Sequence, residues 1–88
     1  MSDLPFRVTE KVHSFLSKMF ETFGDVIYSS DVEVINVRKK DDTYVVSGRF
    51  KMRNKYTDKI ELEKTFTMIF DKDGNFIEAK VEEQKSLL

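Results

Sequence analysis

From Ile60 to Phe70 the chain alternates without a slip: Ile60, Leu62, Lys64, Phe66, Met68 and Phe70 take one side, and Glu61, Glu63, Thr65, Thr67 and Ile69 take the other. Period two is the pattern of a strand with one buried face. Such a strand needs neighbouring strands and a second layer to cover its apolar row. This segment alone therefore commits the chain to a sheet with something packed on it. One cation, Lys64, interrupts the apolar row, and the phase is the same on either side of it, so a bulge does not remove it from that face.

The covering layer lies N-terminal. Residues 5–23 carry helical periodicity: Val8, Val12, Phe15, Leu16, Met19, Phe20 and Phe23 fall within an arc of roughly 140° at 100° per residue. Asp3 suits the N-cap, Pro5 the first turn and Gly24 the C-terminal stop. Asp25 to Asp31 reads as a loop or one further turn, with Val26 and Ile27 packing inward.

Beyond Val32 the period is two throughout. Strands are expected at about 32–39, 44–53, 59–70 and 76–83. In the first, Val32 and Val34 share one phase while Ile35 and Val37 share the other, which calls for a bulge near Val34–Ile35 or an edge strand buried on both sides. Turn residues join the strands at Lys40–Thr43, Asn54–Asp58 and Asp71–Asn75. Gln84 to Leu88 reads as a frayed tail.

Charge pairing suggests register. Setting Arg53 opposite Lys59 puts Lys51 against Glu61 and Arg49 against Glu63 on the solvated face. The same register puts Gly48 opposite Lys64. In the last hairpin, setting Phe70 opposite Ile77 aligns Met68 with Ala79, Phe66 with Val81 and Lys64 with Glu83.

The expected fold is therefore α+β: residues 1–88 as one domain, with an N-terminal amphipathic helix packed on a four-stranded antiparallel meander. This order resembles the cystatin-like and PepSY-like arrangement of a helix followed by a curved sheet. The stretch Phe70-Asp71-Lys72-Asp73-Gly74-Asn75-Phe76-Ile77 is similar to the final hairpin of PepSY-type domains. The likeness implies the arrangement and no function.

Composition narrows the function classes. Fifteen basic and sixteen acidic residues give a net charge of -1, which argues against duplex DNA or an anionic membrane as partner. The absence of cysteine excludes disulfides, thiolate catalysis and Cys-based metal centres. The N-terminus lacks a signal pattern and no apolar run reaches membrane-span length, so a cytoplasmic protein is expected. Abundant Lys, Glu and Val, with one Gln and one Pro, fit a heat-adapted source.

Candidate sites are few. Gly48, Lys64 and Glu83 read as a notch in which Lys64 meets an anionic ligand, with Tyr44, Phe50, Phe66 and His13 lining the cleft. The competing reading has Lys64 burying its stem, reaching water and pairing with Glu83 where the sheet outruns the helix. It is the more economical of the two. His13, the single histidine, has no nucleophile or orienting carboxylate at motif spacing and reads as a boundary residue. The turn Asp71–Asn75 lacks the spacing and bidentate Glu of a calcium loop, so no metal or cofactor is expected. A basic row at Arg49, Lys51, Arg53 and Lys55 is offset by Glu61 and Glu63, which makes nucleic acid an unfavoured partner. Val32, Val34 and Val45, together with Ile69 and Phe76, form a candidate apolar interface on the first strand and outer face.

The sequence thus favours a non-catalytic protein-interaction module, homodimeric, with a small-ligand binder built around Lys64 as the alternative.

Overall fold

A computed structural model describes residues 7–83. The element order is α1 (Val8–Phe20), β1 (Asp25–Val26), a single 3-10 turn at Ser29–Asp31, β2 (Val32–Lys40), β3 (Thr43–Asn54), β4 (Ile60–Asp71) and β5 (Phe76–Glu83). The α+β class and the meander β2-β3-β4-β5 are as expected, but the sheet has five strands rather than four. The extra one is β1, which pairs with the end of β3 through Asp25↔Asn54 and Val26↔Arg53. It occupies part of the segment read as a loop or turn. Ile27, just beyond it, is fully buried, as expected for that position.

The helix is shorter than its apolar pattern. It ends at Phe20, and Glu21 is extended at the C-cap, so Gly24 is not the stop. The physical reason lies in the next six residues. The Ile27 amide donates to the Glu21 carboxylate at 3.0 Å, and the Thr22 amide donates to the Asp25 carbonyl. These bonds turn the chain toward β1 instead of continuing the helix. Phe23 consequently leaves the apolar arc and is 94% exposed. The expected cap at Asp3, the proline at position 5 and the tail 84–88 lie outside the described residues.

The helix packs on the inner face of the sheet, and aromatic rings mark its contacts. Phe15 stacks on Phe76 at 4.4 Å and lies 6.2 Å from Phe70, while Phe20 lies 5.6 Å from Phe50, itself 6.3 Å from Phe66. Val12 and Leu16 of the helix share one core cluster with Val46 and Met68, all four fully buried. Each such side chain contributes on the order of 1.5–3 kcal/mol.

Three bulges set the registers. In β2 the shift falls between Val34 and Asn36, so Ile35 is the extra residue, in agreement with the expected bulge. In β5 the shift leaves Ile77 unpaired: Phe70 faces Phe76 rather than Ile77, while Met68↔Ala79, Phe66↔Val81 and Lys64↔Glu83 are as expected. The β3–β4 hairpin differs more. Asn54 donates to the Lys59 carbonyl at 2.8 Å, so the loop closes one residue later than charge pairing suggested. A bulge at Glu61 adds a second step. Two single steps restore the inward face but, from Met52 back along β3, move every partner by two. Lys64 stands opposite Phe50, and Gly48 opposite Phe66.

Candidate functional site

The notch expected beside Lys64 is absent because Gly48 serves a different purpose. The backbone of β2 crosses so close that a Cβ on Gly48 would overlap the Glu33 carbonyl, and the Phe66 ring presses from the other side. Glycine here admits a close strand approach next to the Ile35 bulge. It opens no space for a ligand.

Lys64 itself is half-buried, with Nζ 6.0 Å from the centre of the Phe20 ring. It lies at the last turn of α1, where a cation favours the helix dipole and the aromatic face. Its strand partner across β5 is Glu83 by backbone register. The side chain of Glu83 lies outside the described residues.

The remaining cleft residues do not converge on Lys64. Tyr44 pairs with Phe70, six residues along β4 from Lys64, a distance of about 20 Å at the rise of a strand. His13 Nε2 donates to the Ile27 carbonyl at 2.7 Å, and Ser17 Oγ lies 3.3 Å from the same nitrogen. The short carbonyl contact requires a proton on Nε2. His13 therefore fastens the post-helical segment to α1.

The expected apolar interface is also redistributed. Val32 is in the core at 8% exposure, and half-buried Val34 packs against that core. Both pair inward, with Phe50 and Gly48. Val45 and Ile69 are direct partners on the opposite face, flanked by Arg38 and Glu78. Phe76 belongs to the Phe15 stack. These five residues therefore do not form one surface.

Polar chemistry concentrates on the outer face near the 3-10 turn. Arg53 makes a two-pronged contact with Asp31, Nε to Oδ2 at 2.6 Å and Nη2 to Oδ1 at 3.2 Å, and donates from Nη1 to the Asp58 carbonyl at 3.0 Å. Tyr28 lies over its guanidinium at 6.0 Å. The hydrogen bond to Asp31 pushes the Arg53 pKa up, and the hydrogen bond to Asp58 raises that of Tyr28. Arg49 is held up in the same way by Glu33, 2.7 Å away. A depression of about 220 Å³ lies between Ser30, Asp31, Glu33, Arg49, Lys51 and Glu63. Its charges of both signs neutralise one another, which suits a solvated face better than capture of a charged ligand.

The surface that sequence reasoning missed is the end of the sheet beyond the helix. With α1 ending over the Phe50–Lys64 pair, Leu62 and Ile60 remain 38% and 44% exposed. Met19 in the last turn of α1, Phe23 just beyond it and Tyr56 in the β3–β4 loop are exposed as well. The Lys55 amide donates to the Gly24 carbonyl at 2.8 Å, which ties the post-helical turn to the hairpin. A second, wider depression of about 470 Å³ lies at this junction, lined by Glu21, Thr22, Phe23 and Lys55. The missed signal was Phe23, whose position on the apolar arc made an exposed ring look like core.

Neither family models, curated proteins nor solved structures yield a match to this chain. The likeness to cystatin-like and PepSY-like domains thus stands on the order of helix and meander alone. Among the described residues, no helix is long and apolar enough to cross a membrane.

Proposed function

We propose that this domain is a non-catalytic protein-interaction module that works as a homodimer. The observation that carries the reading is the apolar end of the sheet: Phe23 and Tyr56, on segments joined by the Lys55–Gly24 hydrogen bond, stand 94% and 80% exposed, and half-exposed Leu62 and Ile60 lie at the same end. Large apolar groups gathered at one place mark an interaction surface, whereas the same groups scattered singly need no explanation. The most chemically versatile side chains support the same reading. His13 is engaged with a backbone carbonyl, and the Lys64 ammonium rests against Phe20. A ligand cleft around Lys64 would need space that the Phe20, Phe50 and Phe66 rings fill. The cysteine-free composition suits a cytoplasmic setting.

Native mass spectrometry of gently purified protein tests the proposal, since it reads subunit number and retained small molecules together. A dimer of unmodified mass is expected. A monomer carrying a bound small molecule would replace this reading with the ligand-binding one.

A further inference from the structure

We infer that Asp25 and Glu61 form a carboxyl pair that shares one proton and fastens β1 to the central hairpin, so that the turn carrying Phe23 loosens when the proton leaves. The effect on self-association rests on the homodimer reading above; the fastening itself does not.

Two local irregularities build the pair. Asp25 stands directly opposite Asn54 in the two-residue strand β1, and direct partners share a face. Glu61 is the extra residue of the β4 bulge. In regular alternation it would share the outer face with Arg53, but a bulge re-aims such a side chain. It turns to the Asn54 side, where the Asn54 side-chain amide donates to its carboxylate at 3.1 Å. The Asp25 carboxyl hydrogen-bonds to the same Glu61 carboxyl. An ionised carboxylate only accepts, so this bond needs a proton between the two groups.

The neighbouring charges are engaged elsewhere. Arg53 binds Asp31, and the Glu21 carboxylate accepts from the Ile27 amide. From α1, His13 donates to the Ile27 carbonyl and Lys18 lies over the Phe15 ring. Lys64 on β4 faces Phe20. Lys55 and Lys59 belong to the β3–β4 loop, yet among the described residues no ion pair reaches Asp25 or Glu61.

The hydrogen bond to Glu61, with partial burial and the Glu61 charge, raises the Asp25 pKa, while the hydrogen bonds from Asp25 and Asn54 lower that of Glu61. The two groups titrate as one unit. The Asp25 contribution is present in full below the ordinary aspartate value and is lost as pH rises through the raised one. The Glu61 contribution is present above the ordinary glutamate value and is lost as pH falls through the lowered one. One proton is held between these limits. Above them two like charges flank Asn54 and push β1 from the hairpin. Phe23 lies just before β1, and Tyr56 just after the Lys55 amide that holds the Gly24 carbonyl. The fastening thus sets where these two exposed rings stand relative to each other.

The test is amide hydrogen exchange, read by NMR, on the full chain and two isosteric variants, Asp25→Asn and Glu61→Gln, at pH 4 and pH 8. Rates are corrected for intrinsic exchange, and circular dichroism checks each fold. Each variant puts a permanent amide donor where the shared proton sits. The Lys55 amide reads the fastening, and the Met68 amide in the central strand is the reference. Relative to Met68, wild-type protection at Lys55 should fall about threefold from pH 4 to pH 8, a step in keeping with an exposed charged contact. Both variants should keep theirs. A response shared by all three proteins, or absent from all three, would overturn the pair. Sedimentation equilibrium at pH 8 then reads the consequence: Asp25→Asn should associate about threefold more tightly than wild type. Two dimers of equal affinity would overturn the effect on self-association and leave the fastening. A monomer in both would remove the homodimer reading, and that effect with it, and also leave the fastening.

Discussion

The Glu33 carbonyl oxygen occupies the space that a side chain at Gly48 would need. β2 approaches β3 this closely only where the β3 residue has no Cβ, next to the bulge that lets β2 bend. Gly48→Ala is therefore expected to destabilise the fold by about 2 kcal/mol, because the methyl group meets backbone rather than a mobile side chain. Urea denaturation measures this. A change under about 0.5 kcal/mol would mean that the strands separate freely at this point.

Lys64 gives the opposite expectation. Its stem packs where the helix ends, and its ammonium faces the Phe20 ring. Lys64→Met keeps the stem and removes only the charge, so stability should stay within about 1 kcal/mol of wild type. Lys64→Ala also loses the stem and should fall below Lys64→Met in the same denaturation series. A loss well above 2 kcal/mol in Lys64→Met would reveal a charge partner beyond the aromatic contact.

Asp71 governs the acid response of the last hairpin. The Asn75 backbone amide, together with the Asn75 side chain and the Asp73 and Gly74 amides, holds its carboxyl pKa below the ordinary value. Because the folded pKa is lower than the unfolded one, this contribution is present in full above the ordinary carboxylate pKa. It is lost as pH falls through the depressed value. Asp71→Asn should thus be less stable than wild type at neutral pH, and the gap should close on acidification. Thermal unfolding of both proteins from pH 7 down to pH 2 measures it. A gap constant with pH would show that the turn does not depend on the carboxylate.

Much of the architecture was legible because it follows from local periodicity. The helix, the four long strands and the β2 bulge appear in the order of apolar residues. The inner pairs Met68↔Ala79 and Phe66↔Val81 follow from matching apolar faces across a short turn. What was hidden depends on backbone bonds that leave no periodic trace. The Glu21–Ile27 contact ends the helix early and creates β1. The Asn54–Lys59 closure and the Glu61 bulge shift the central hairpin by two residues, which preserves every face and so cannot be detected from alternation. That silent shift moved Lys64 away from Gly48 and dissolved the expected notch. The early helix end likewise turned Phe23 from an expected core residue into the most exposed ring among the described residues.

The central claim is that this domain works as a homodimer, and sedimentation equilibrium of the full chain over a wide range of concentrations tests it most directly. The account predicts a two-subunit mass that falls toward the monomer only on strong dilution. A one-subunit mass at every concentration would contradict it.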